Sequence, residues 1–264
     1  MNFKTANNIN TLAKFLGTRD INELSRKELW ERYGIHQADV MVLFGGSILA
    51  GGDILAEAMK NNIAKKYIIV GGAGHTTETL RQRVRLEFPE IETTNLSEAE
   101  IFQKYLKYVY GCEADYLETK STNCGNNITY LLELLQEKNI TFKSIILSQD
   151  ASMQKRMAAG LKKYITKDAV IINYAAYCTR VLNHGKELVY EENIHGMWTI
   201  ERYVDLLMGE IPRLTDDKNG YGPKGKNFIA HVDIPQNVKI AFEELKTIYG
   251  DKTREANPLY SSKG

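Results

Sequence analysis

Short apolar runs that stop at glycine or at a small polar pair recur along this chain, each followed by apolar residues at helical spacing. Residues 38–44 run into Gly45-Gly46 and precede a helix predicted over 53–61; residues 66–70 run into Gly71-Gly72 and precede one over 76–88. An uninterrupted apolar run marks a strand buried on both faces, and strand–helix alternation marks a parallel sheet. The same pattern returns at 144–148, which ends at Gln149-Asp150 before a helix over 153–164, and a last strand is expected over 169–172. Between these lie a short strand over 114–117 and a helix over 122–136 with Ile128, Leu131, Leu132 and Leu135 on one face. Ser97 and Glu100 have capping-box spacing and open a helix over 101–110. About five parallel strands with right-handed crossovers follow from this pattern, which is a Rossmann-like three-layer α/β sandwich.

Outside the alternating region the pattern changes. Apolar spacing over 9–15 and 21–33 predicts two helices, the second capped by Asp20 or Asn22. Periodicity fades between Cys178 and His195. Helices are expected over 197–208 and, after Pro235, over 236–249, with a loop rich in glycine, proline and charge over 209–226. The chain therefore divides into a helical lead-in (1–37), a Rossmann-like domain (38–190) and a mainly helical C-terminal appendage (191–264).

Composition narrows the partners. Thirty-four basic and 33 acidic residues give a formal net charge of +1, so no long-range field draws in nucleic acid or an anionic membrane. Three cysteines without C-x-x-C spacing read as reduced thiols, and the amino terminus lacks the apolar core of a signal peptide, so a cytoplasmic location is expected. No apolar run approaches the ~18 residues that suggest a membrane span. The five histidines show no metal-ligand spacing, and no metal is expected. A small-molecule ligand is the partner this leaves.

In an open parallel sheet such a ligand sits at the carboxyl ends of the strands, so the candidate residues can be named. Gly45 and Gly46 follow the first strand. Gly71, Gly72, Gly74, His75, Thr76 and Thr77 follow the second, as a cradle for a carboxylate, phosphate or ribose or as a tight strand-to-helix turn. On the cradle reading, a valine at Gly72 would block ligand approach and leave the protein folded. His75 has the pKa range to donate to a ligand oxygen, or it packs in the loop. Ser121, Thr122 and Asn123 open a helix, at least one of them as its cap. Gln149 and Asp150 follow the fourth strand; Asp150 suits a ribose hydroxyl, a base or a helix cap. Glu98 begins a helix beside the capping-box partner Glu100 and is the freer of the two. Met153 is an apolar neighbour for a ring. No G-x-S-x-G elbow is present, and Cys124 has no assignable histidine partner.

Several segments are long and idiosyncratic: Gly71-Gly72-Ala73-Gly74-His75-Thr76-Thr77, Ser121-Thr122-Asn123-Cys124-Gly125, Gln149-Asp150 with Met153-Gln154-Lys155-Arg156, and Glu201-Arg202-Tyr203. They continue through Gly209-Glu210-Ile211-Pro212-Arg213-Leu214, Gly220-Tyr221-Gly222-Pro223-Lys224-Gly225 and His231-Val232-Asp233. Together they resemble a bacterial domain-of-unknown-function family, the one that contains YdcF, SanA and ElyC. The resemblance implies a Rossmann-like fold with a C-terminal extension and the binding of S-adenosylmethionine, without implying a reaction. Common methyltransferases place a G-x-G-x-G turn after the first strand and an acidic residue for the ribose after the second. Here the second strand ends in Gly71-Gly72, so Asp150, Glu98 or Asn123 would hold the ribose. Three functions stay open: an S-adenosylmethionine-binding protein or methyltransferase, a non-catalytic ligand sensor, and a phosphate or pyrophosphate hydrolase using Asp150 or His75 as base.

Overall fold

Five parallel strands in the order β3-β2-β1-β4-β5 form the centre of the fold. The computed structural model describes residues 2–74, 76–185 and 187–251. In chain order they form α1 (Asn2–Leu16), α2 (Arg26–Tyr33), β1 (Ala38–Phe44), α3 (Ala50–Lys60), β2 (Ala64–Val70), α4 (Thr77–Glu87), α5 (Glu98–Tyr110) and β3 (Tyr116–Glu118). These are followed by α6 (Cys124–Glu137), β4 (Ser144–Ser148), α7 (Gln154–Tyr164), β5 (Val170–Asn173), β6 (Val181–His184), β7 (Glu187–Tyr190), α8 (Ile200–Leu214) and α9 (Gln236–Tyr249). The parallel sheet with its flanking helices is a Rossmann-like α/β fold.

The chain separates into two compact units. One holds the sheet: Arg19–Asp150 and Thr166–Ala176. Its central strands are apolar because both faces are covered: six of seven residues of β1 and all five of β4 are buried. Val42 stands in register with Ile68 on one side and Leu147 on the other. β2 begins two residues earlier than the apolar run predicts, because Lys65 and Lys66 pair at its open end with Asp39 (2.7 Å) and Asp115 (2.9 Å). α5 opens with the predicted capping box between Ser97 and Glu100 and closes at Gly111, whose φ of 65° is the left-handed turn that glycine tolerates. α2 starts later than predicted. Its cap is Ser25, which accepts from the Glu28 N–H, while Asp20 is drawn to β5, accepting from the Asn173 backbone (2.7 Å) and side chain (2.8 Å).

The other unit comprises residues up to Thr18, Ala151–Ile165 and the chain from Tyr177 on. Here α1 packs against α9, α8 and β6. The Asn10 side chain acts as a strand partner for β6, donating to the Val181 carbonyl (2.9 Å) and accepting its N–H (2.7 Å). β6 and β7 form an antiparallel hairpin in the stretch where no element is predicted. Arg156 of α7 forks onto the buried carboxylate of Glu210 in α8 (2.5 and 3.0 Å), which Arg213 also approaches (3.2 Å). After α8 the loop folds back on itself: Tyr221 packs edge-on against Phe228, and His231 bridges Asp216 (2.6 Å) and Asp233 (2.9 Å). Those two carboxylates, Asp233 foremost, hold the His231 pKa above its usual value. No helix among the described residues is long and apolar enough to cross a membrane.

Candidate functional site

The strand order locates the crevice. From β1 the chain moves through β2 to β3 on one side, then crosses to β4 on the other side of β1. The loops leaving β1 and β4 therefore diverge, and ligands of open α/β sheets bind at such a switch point. Between them lies a cavity of about 10 Å³ lined by Gly46, Ile48, Gly51, Phe102, Gln149 and Asp150 above Leu43 and Phe44. That volume admits about one water molecule or one ligand oxygen.

Next to the crevice, the glycines after β1 and β2 serve close packing. A Cβ on Gly45 would stand 2.6 Å from Glu98 Oε2 and 3.2 Å from the Gly71 Cα. One on Gly71 would stand 3.0 Å from the Glu98 Cβ, and one on Gly72 only 2.1 Å from the Ser121 carbonyl oxygen. The adjoining amides are also taken. Gly71 N–H donates to the Glu118 carbonyl (2.9 Å), Gly72 N–H to Ser121 Oγ (3.1 Å) and Gly74 N–H to Thr77 Oγ1 (2.7 Å). The α5 amides of Glu98 and Ala99 donate to the Gly72 (3.0 Å) and Gly71 (2.8 Å) carbonyls. The cradle expected of Gly71, Gly72 and Gly74 is thus, at these three amides, a tight turn whose donors are already matched. His75, between Gly74 and Thr76, lies outside the described residues. Gly46 differs: the nearest atom to an added Cβ is Gln149 Oε1 at 3.5 Å, an ordinary contact.

Glu98 is engaged, where the sequence suggests the freer of two carboxylates. It is 7% exposed, and its Oε1 accepts from Thr76 Oγ1 (3.0 Å) and Thr77 Oγ1 (2.9 Å) while Oε2 lies over Gly45. Burial pushes its pKa up, against the two hydroxyl bonds and the Arg81 charge. A hydrogen-bond chain results, running from Gly74 N–H to the Thr77 hydroxyl to the Glu98 carboxyl.

The helix-opening triplet divides its work. Asn123 caps α6 by accepting from the Asn126 N–H (3.0 Å). Thr122 Oγ1 bonds the Asn126 side chain (3.1 Å), and Ser121 holds Gly72. Glu118 closes this loop from the end of β3, its Oε1 accepting from the Lys120 (2.6 Å) and Ser121 (3.0 Å) amides. Of the residues named from sequence, Gly46, Gln149 and Asp150 line the switch-point cavity. Gly45, Gly71, Gly72, Thr76, Glu98 and Ser121 form the packed layer beside it. Met153 belongs to the other unit, at the N-cap position of α7.

One contributor escapes sequence reasoning. Arg83 of α4 donates to the Ser47 carbonyl, and the Asp150 charge acts on it; burial, the larger influence, lowers its pKa. Arg81, Arg83 and Arg85 alternate along one helix, and nothing in the sequence tells the one that turns inward from Arg81, which binds the Leu96 carbonyl, or Arg85, which pairs with Glu78. Ser47, in the candidate loop Gly45-Gly46-Ser47 after the first strand, is buried, and its Oγ has no hydrogen-bond partner among the described residues. No protein-family model matches this chain.

Proposed function

We propose that this protein binds a small-molecule ligand across the carboxyl ends of β1 and β4, and that the ligand is S-adenosylmethionine or a related adenine nucleoside. The ligand class rests on the resemblance to the family that contains YdcF. The observation that carries the location is the cavity between the diverging β1 and β4 loops, where Gly46 is open to approach and Asp150 supplies a carboxylate. The donor set suits such a ligand. Glu98 accepts from threonine hydroxyls in the packed layer, and Asp150 is the carboxylate that lines the crevice. Backbone can approach a ligand at Gly46 without a side chain in the way. The proposal is one of binding. The fold hosts many chemistries, so a methyl-transfer step does not follow from it.

Titration calorimetry with S-adenosylmethionine, S-adenosylhomocysteine, ATP and NAD tests the ligand. Saturable one-to-one binding of the first two alone is expected; a response to ATP or inorganic phosphate alone would replace the reading with an anion-site hydrolase. Gly46→Ala tests the location. Because the methyl group meets nothing closer than 3.5 Å, its stability should stay within about 0.5 kcal/mol of wild type, while affinity drops roughly tenfold as the methyl enters the ligand's path. Unchanged affinity would take the β1 loop out of the site.

A further inference from the structure

The loop that carries β1 into α3 holds polar atoms that the protein leaves unmatched. The N–H groups of Gly46, Ser47 and Ile48 find no acceptor among the described residues, although Ser47 is 1% and Ile48 3% exposed. The Ser47 hydroxyl, in the middle of this run, is buried and also lacks a partner. Buried backbone N–H groups are almost always paired, so the unmatched amides of buried Ser47 and Ile48, with the half-buried Gly46 N–H and the Ser47 hydroxyl beside them, call for an acceptor from outside the chain. They stand just before the 11-residue helix α3, whose dipole adds partial positive charge at its amino end. Arg83 adds a guanidinium on the Ser47 carbonyl. Gly46 and Ile48 also line the switch-point cavity.

We propose that these donors form a subsite for a singly charged oxyanion of the ligand, a carboxylate, held by the Gly46, Ser47 and Ile48 amides and the Ser47 hydroxyl. The charge balance decides between carboxylate and phosphate. Asp150 lines the same cavity, and Arg83, the cation acting with it, offsets one negative charge. With that balance near zero, the donors alone must hold the ligand's charge, which suits one negative charge better than two. The subsite rests on the ligand location proposed above and deepens it.

The test follows the amide NMR signals of Gly46, Ser47 and Ile48 in wild type and Ser47→Ala. The probes are S-adenosylhomocysteine, decarboxylated S-adenosylmethionine, methylthioadenosine, sodium acetate and sodium phosphate. S-adenosylhomocysteine should shift the three amides saturably, and the two adenosyl compounds without a carboxylate should bind roughly a hundredfold more weakly. Ser47→Ala should weaken S-adenosylhomocysteine roughly tenfold and leave methylthioadenosine unchanged, a contrast that a merely structural serine would not produce. Equal affinities for all three adenosyl compounds with those amides still would overturn the subsite while the ligand reading stands. Saturable shifts with acetate and none with any adenosyl compound would overturn the ligand reading while the subsite stands. Phosphate binding more tightly than acetate would overturn the carboxylate assignment, and silence from every probe would overturn both proposals.

Discussion

Gly72→Val is expected to destabilise the protein by about 3 kcal/mol, with the lower midpoint read from urea unfolding at unchanged slope. The cause is backbone against backbone. A Cβ at Gly72 would lie 2.1 Å from the Ser121 carbonyl oxygen and 2.8 Å from both the Ser121 nitrogen and the Thr119 oxygen. No side-chain rotation relieves a contact with main-chain atoms, so the loops after β2 and β3 must separate. Their separation breaks the Gly72 N–H bond to Ser121 Oγ and strains the Glu98 N–H bond to the Gly72 carbonyl. The sequence alone suggests that this substitution spares the fold and blocks a ligand; the distances assign the glycine to packing. Its counterpart is Gly46→Ala, which should spare the fold. A wild-type midpoint for Gly72→Val would mean that the two loops part freely, and the packed layer would lose its claim to rigidity.

The pair shows what a sequence can and cannot disclose. The sheet was legible because strands buried on both faces carry continuous apolar runs, and because each run stops where backbone must turn or approach closely. The capping box of α5 was legible for the same reason: Ser97 and Glu100 satisfy orphan amides by local geometry alone. The β6–β7 hairpin was not, since its strands are four residues each and half polar, with Asn183 and His184 running into the turn at Gly185. The cap of α2 was displaced because a long-range bond from Asp20 to Asn173 outcompeted a local one. At the candidate site, glycine after a strand marks close approach but not what approaches. Gly45, Gly71 and Gly72 face the protein's own chain and Gly46 faces the crevice, a distinction that exists only in three dimensions. Arg83 was hidden for a related reason, because its acceptor is a backbone carbonyl 36 residues away.

Glu98 gives the second large effect, and its sign follows from burial. Desolvation raises its pKa in the folded protein above the usual carboxylate range, so the native state keeps a proton that the unfolded chain gives up as pH rises. The contribution of Glu98 to stability is then fullest below the unfolded pKa, falls as pH climbs towards the raised folded value, and is flat beyond it. Glu98→Gln cannot ionise, yet its carbonyl oxygen can accept the Thr76 and Thr77 hydroxyls as Oε1 does. The variant should therefore match wild type in acid and exceed it at neutral pH, seen as unfolding free energies that diverge as pH rises above about 4. Glu98→Ala separates the hydrogen bonds from the charge. It leaves the buried Thr77 hydroxyl, which must also serve the Gly74 N–H, without its acceptor, at a cost of about 1–3 kcal/mol even in acid. Parallel pH curves for wild type and Glu98→Gln would show that the carboxyl ionises as freely inside the protein as outside. Divergent curves would make Glu98 a neutral partner of the threonines at neutral pH.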